Sequence, residues 1–156
     1  MMTSASYACS CPPITNVIYH VSSSDQIFIG RCTSGTLMGD TVVFEFDHTR
    51  TLMGPVQSNA IVRTHKEGSM CGYKFLIGEE YLVYCFSIDG ELWTDICHRT
   101  QLRQPTIEQN AEIEEIIRIQ TDPASQEMIR ILKDTGKNPQ QGGPAYPPQG
   151  VGSADP

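Results

Sequence analysis

The sequence is short of positive charge. Its 11 Lys and Arg stand against 18 Asp and Glu, a formal net charge of −7. The basic residues are scattered singly. Phosphate binding draws its affinity from clustered Lys and Arg, so no nucleic-acid partner is expected. No polybasic run addresses a membrane surface either. Long hydrophobic runs are also missing. No stretch approaches the roughly 18 apolar residues of a membrane span, so stable membrane insertion is not expected. The Gly-x-Ser-x-Gly elbow, the phosphate-cradling glycine loop and the His-x3-His pair are all absent. His20, His48, His65 and His98 lie far apart and read as ordinary surface or strand-end residues. The single tryptophan, Trp93, reads as part of a sheet wall. An enzyme is therefore not expected, nor a resident cofactor.

What the chain does have is cysteine. Cys9, Cys11, Cys32, Cys71, Cys85 and Cys97 make six, an even number in a 156-residue chain. Such a count points to disulfides and an oxidising compartment. The rival is a zinc site. Zinc ligands usually come in Cys-x2–4-Cys knuckles, and only Cys9 and Cys11 are close, with one residue between them. Six cysteines allow fifteen pairings, and spacing alone does not choose among them. Cys9 and Cys11 are too close to bond each other comfortably, so each needs a distant partner. Two such bridges would lash the N-terminal segment to two places, and Pro12 and Pro13 would stiffen it by fixing φ. A rigid exposed ridge of this kind suits binding, because pre-ordering lowers the entropy lost on association; the alternative is that the bridges only stabilise a small secreted domain. Ser6-Tyr7-Ala8 has small residues at the −3 and −1 positions of a signal-peptidase site, so residues 1–8 read as the stump of a leader, or a tag.

Composition divides the remainder into three regions. Residues 9–104 are rich in β-branched and aromatic runs broken by Gly, Asp and Asn. Strands are expected at 26–32, 41–48, 60–64, 81–87 and 91–95. Asp89-Gly90 is a hairpin signal between the last two. Residues 15–21 fit either a strand or a helical face. Short strands at this spacing predict a small barrel or sandwich. Residues 105–136 read as helical: Thr106 with Gln109 can form a capping box, and Asp122-Pro123 restarts a second helix. Ala111, Ile113, Ile116, Ile117 and Ile119 give the apolar stripe of the first helix, broad for one face; Met128, Ile131 and Leu132 give that of the second. Glu108, Glu112, Glu114 and Glu115 read as a solvated acidic face. Residues 137–156 are Pro, Gly and Gln with almost no bulky apolar side chain, a composition that does not repay ordering.

Several segments together resemble a known family. Cys9-Ser10-Cys11-Pro12-Pro13, Ser24-Asp25-Gln26-Ile27-Phe28-Ile29-Gly30, Cys71-Gly72-Tyr73, Tyr81-Leu82-Val83-Tyr84 and Cys97-His98-Arg99-Thr100 occur in that order. The series resembles the N-terminal inhibitory domain of the tissue inhibitors of metalloproteinases, and more closely its bacterial single-domain relatives, within the netrin-like group. The resemblance covers residues 9–104. It implies a mainly β fold, a five-stranded OB-type barrel, here with accessory C-terminal helices. It implies bridges Cys9–Cys71 and Cys11–Cys97. Cys32 and Cys85, left over in neighbouring strands, are expected to form a third. It implies a monomer, secreted or periplasmic after leader removal, whose partner is a zinc metalloproteinase. Cys9, as first residue of the mature chain, would chelate the partner's zinc with its amine and carbonyl. Ser10 would enter the specificity pocket, with Cys11, Pro12, Met70 and Cys71 in the contact surface. A non-inhibitory extracellular protein-binding module on the same barrel is the alternative.

Overall fold

The computed structural model describes residues 9–11 and 16–135. The expected leader (1–8), the tail (137–156) and Pro12 lie outside the described residues. The chain is mainly β. A short helix α1 (Val17–Ser22) comes first, then β1 (Gln26–Met38), β2 (Thr41–Met53), β3 (Asn59–His65), β4 (Glu80–Ile88), β5 (Glu91–Trp93) and the short β6 (Gln101–Leu102). Helices α2 (Ile107–Thr121) and α3 (Pro123–Asp134) follow. Of the ambiguous 15–21 region, Thr15 lies outside the described residues and 17–21 is helical, Asn16 capping α1 by accepting from the Ile18 N–H at 3.0 Å.

The strands form one sheet in the order β1-β2-β3-β5-β4-β6, and β1 also pairs with β4. Five strands thus pair in a closed ring, antiparallel except for β3 with β5. β1 serves two neighbours because it is long and irregular, with register shifts at Ile27/Phe28, Ile29/Gly30 and Cys32/Ser34. Such bulges bend a strand and increase its twist, as closing a ring requires. The Asp89-Gly90 turn has φ of 51° and 81°, the left-handed pair of a tight hairpin.

Period-2 alternation feeds two cores at once. Phe28, Phe44, Phe46, Val62, Tyr81, Val83 and Cys85 cluster with Phe75 on one face. Ile27, Ile29, Leu82 and Tyr84 turn to the other, where Val21 and the α2 residues Ile113, Ile116 and Ile119 cover them. Strands buried on both faces read as unbroken apolar runs, which is why 81–85 shows little alternation.

Several expectations need correction. Cys32 and Cys85 are free and buried. They do lie on adjacent strands, but Cys85 sits opposite Gln26 while the Cys32 N–H bonds Glu79. Six residues of strand is about 20 Å, far beyond the 4.4–6.8 Å Cα reach of a disulfide. Burial raises both thiol pKa values, so neither is a ready nucleophile. The acidic face is not wholly solvated, because Glu112 is only 7% exposed. His20 and His98 are buried rather than superficial. The capping box is half formed. Thr106 Oγ1 accepts from the Gln109 N–H, but the Gln109 side chain turns to the Gln104 N–H and the Leu102 carbonyl instead.

Candidate functional site

The site is built where three segments meet. Cys9 is bonded to Cys71 and Cys11 to Cys97, each pair with Cα atoms 5.1 Å apart. The two anchors come from different loops, one after β3 and one after β5. Between the bridges, Ser10 is exposed.

The Cys71 anchor is set by backbone geometry. A 3-10 turn, Gly68–Met70, leads into Cys71, whose φ of 65° is left-handed. A non-glycine residue pays about 1 kcal/mol or more for that conformation. Gly72 follows because nothing larger fits: a Cβ there would stand 2.0 Å from the His65 carbonyl oxygen. The Tyr73 N–H then donates to Thr64 Oγ1 at 2.9 Å, seating the chain against the end of β3. Cys-Gly-Tyr is therefore one tight reversal held by three local constraints.

The Cys97 anchor is set by side chains. Asp95 Oδ1 accepts from the N–H groups of Cys97 (2.9 Å) and His98 (3.1 Å) and from His98 Nδ1 (2.7 Å). The His98 ring stacks on Phe86 with centroids 4.6 Å apart. Thr100 Oγ1 accepts from the Tyr84 N–H, and Thr94 Oγ1 donates to the Tyr84 carbonyl. Arg99 reaches the other way and grips Glu112 of α2, at 2.6 and 3.0 Å. Tyr84 Oη and Gln101 Nε2 donate to the same carboxylate. Burial alone would raise the Glu112 carboxyl, but the hydrogen bonds from Arg99 and Tyr84 outweigh it and hold it below the ordinary carboxylate range. Burial, the Glu112 charge and their hydrogen bond together drive the Tyr84 phenol up, so it stays protonated. The Cys97-His98-Arg99-Thr100 segment thus connects the ridge to the helices. The two loops also touch directly, the Ile96 N–H donating to the Cys71 carbonyl at 3.0 Å.

Cys9, Ser10, Cys11, Met70 and Cys71 are brought to one locality by these bonds. Met70 is 53% exposed beside Cys71. Sequence reasoning missed Ile96, which is 47% exposed and tied to Cys71. Its position directly before Cys97 was the available signal. A half-exposed isoleucine next to a bridge belongs to the surface that the bridge presents. The candidate metal donors among the described residues are the sulphurs of Cys9, Cys11 and Cys97, within 4.8 Å of one another. In the oxidised chain each is engaged in a disulfide and offers no thiolate. Among the described residues no helix is long and apolar enough to cross a membrane. No protein-family model matches this chain, and no curated protein matches it.

Proposed function

We propose that the strand ring is an OB-type barrel of the netrin-like kind, and that the chain is an inhibitor-like protein whose Cys9-Ser10-Cys11 ridge enters the cleft of a zinc metalloproteinase. What supports this is one observation: Ser10 is presented between two cysteines bonded to separate, independently braced loops. A ridge so held loses little conformational freedom on docking. The ring order, with β1 between β2 and β4, agrees with a five-stranded Greek-key barrel.

The chemistry follows from the donor atoms. When Cys9 is the first residue, its α-amine has a pKa of about 7.7–8. Zinc displaces that proton near neutrality. The amine and the Cys9 carbonyl oxygen then form a chelate at the position a catalytic zinc keeps open for water. Ser10 projects toward the specificity pocket, and Met70 and Ile96 supply apolar contact on the flank. A residue preceding Cys9 turns the amine into an amide, which does not serve.

The test is a pair of proteins, one beginning at Cys9 and one carrying a single added residue. Inhibition of a panel of zinc endopeptidases by the first, lost in the second and after acetylation, is the expected result. Equal inhibition by both, or none by the first, rejects the chelation mechanism. A barrel that still captures protein partners with a blocked amine is then a non-inhibitory binding module.

A further inference from the structure

The four bridge sulphurs are packed more closely than two independent disulfides need. Cys97 Sγ is bonded to Cys11, and stands 3.9 Å from Cys9 Sγ and 3.8 Å from Cys71 Sγ. In a tetrahedral four-thiolate zinc site the metal–sulphur distance of about 2.3 Å separates the sulphurs by about 3.8 Å. The two non-bonded distances from Cys97 already have that value, and the sulphurs of Cys9, Cys11 and Cys97 all lie within 4.8 Å of one another. The bonded pairs must part by about 1.7 Å each, and the Cys11 sulphur must approach that of Cys71, which stands outside this group of three, a change within reach of side-chain rotation.

We propose that the reduced chain binds one zinc ion through Cys9, Cys11, Cys71 and Cys97. The single-residue spacing of Cys9 and Cys11 argued against the usual knuckle. The fold answers that objection by assembling the site from three segments rather than from two knuckles. Two of the ligands stay in place without any bridge. Cys71 is held by the Gly72 approach to β3 and by the Ile96 N–H, and Cys97 by the Asp95 carboxylate. The N-terminal segment then supplies the other two. Cys71 and Cys97 are half-buried and Cys11 is exposed, which leaves access for reductant and metal.

The step balances as follows. Each disulfide takes up two electrons and two protons: a thiol reductant supplies both and leaves as its own disulfide, and a phosphine supplies the electrons and leaves as its oxide, with water supplying the oxygen and the two protons. Four thiols result. Zinc binds them as thiolates and releases four protons. This site depends on the sulphur cluster alone. It needs neither a protease target nor a free amine at Cys9, so its failure and that of the inhibitor reading are separable.

The experiment uses the full chain, reduced with a phosphine without oxygen, freed of reductant and titrated with zinc. Native mass measurement is expected to find one zinc per chain. Maleimide labelling with peptide mapping is expected to modify Cys9, Cys11, Cys71 and Cys97 in the metal-free form and to lose all four labels when zinc is bound. Cobalt in place of zinc is expected to give the absorption of a tetrahedral thiolate site. Equal labelling with and without zinc overturns the proposal, as does protection of only two of the four cysteines. A reduced chain that stays unfolded in zinc, with Cys32 and Cys85 labelled as well, overturns it too.

Discussion

The N-terminal segment and the C-terminal helices are fastened to the same ring by different means. The segment around Ser10 brings almost no apolar surface and is held by two covalent bonds. The helices bring Ile113, Ile116 and Ile119 and are held by burial around a polar knot, Tyr84, Arg99 and Glu112, with Gln109 hydrogen-bonded to the β6 strand and the turn after it. A few exposed residues cannot repay their ordering entropy by burial, so only cross-links make them rigid. A helix pair can repay it, and its attachment is therefore sensitive to protonation and packing instead. The Cys97–Thr100 stretch belongs to both systems, since Cys97 anchors the ridge while Arg99, two residues on, anchors α2.

The sharpest way to break this contrast is to remove a bridge. The double substitution Cys11→Ser with Cys97→Ser opens a loop of sequence separation 86. With the Cys9–Cys71 bridge intact the loop is short-circuited to roughly 28 residues, for which the chain-entropy value is about 3–4 kcal/mol. Urea unfolding without reductant is expected to show a loss of that order, while the far-ultraviolet helix signal of the folded state stays. A loss under about 1 kcal/mol would mean that the ridge is held by something other than its bridges.

Glu112→Gln tests the other side. It removes the charge facing Arg99 in a buried site, at an expected cost of about 2–4 kcal/mol at neutral pH. The pH dependence has a definite sign. Because the folded carboxyl is held below its ordinary value, its contribution is present above the unfolded pKa of about 4.3 and is lost as the pH falls through the folded value. Unfolding curves of the two proteins are expected to begin converging as the pH falls below about 4.3. Parallel curves down to acid would show that the knot is not charge-stabilised.

Thr106→Ala is the smallest perturbation. It removes the Thr106 Oγ1 acceptor of the Gln109 N–H, worth about 1 kcal/mol. Thermal unfolding followed by circular dichroism checks it, and the ridge should be indifferent.

Legibility from sequence followed the same division. Strand and helix cores were readable wherever local chemistry decides: the Asp89-Gly90 turn, the Thr106 cap, the Asp122-Pro123 restart and the apolar runs all signal locally. The outer half of β1, beyond residue 32, is largely exposed and carries no run of alternating apolar residues to signal a strand. That half is ordered by pairing with β2, which no local pattern reveals. Glu112 was hidden among like-charged neighbours, and its burial depends on Arg99 and Tyr84, 13 and 28 residues away. The pairings of Cys9 and Cys11 agreed with the resemblance. The Cys32–Cys85 bridge failed because strand adjacency says nothing of offset along the strands, which the register decides.

The two buried thiols bear on the order in which the chain must be made. An unfolded chain with six cysteines has fifteen ways to pair them. Once the ring closes over Cys32 and Cys85, both are shielded inside the phenylalanine-rich core. Four accessible cysteines remain, and four allow only three pairings. A chain that folds before it oxidises therefore searches three arrangements. A chain that oxidises first searches all fifteen, and any that trap Cys32 or Cys85 keep the ring from closing.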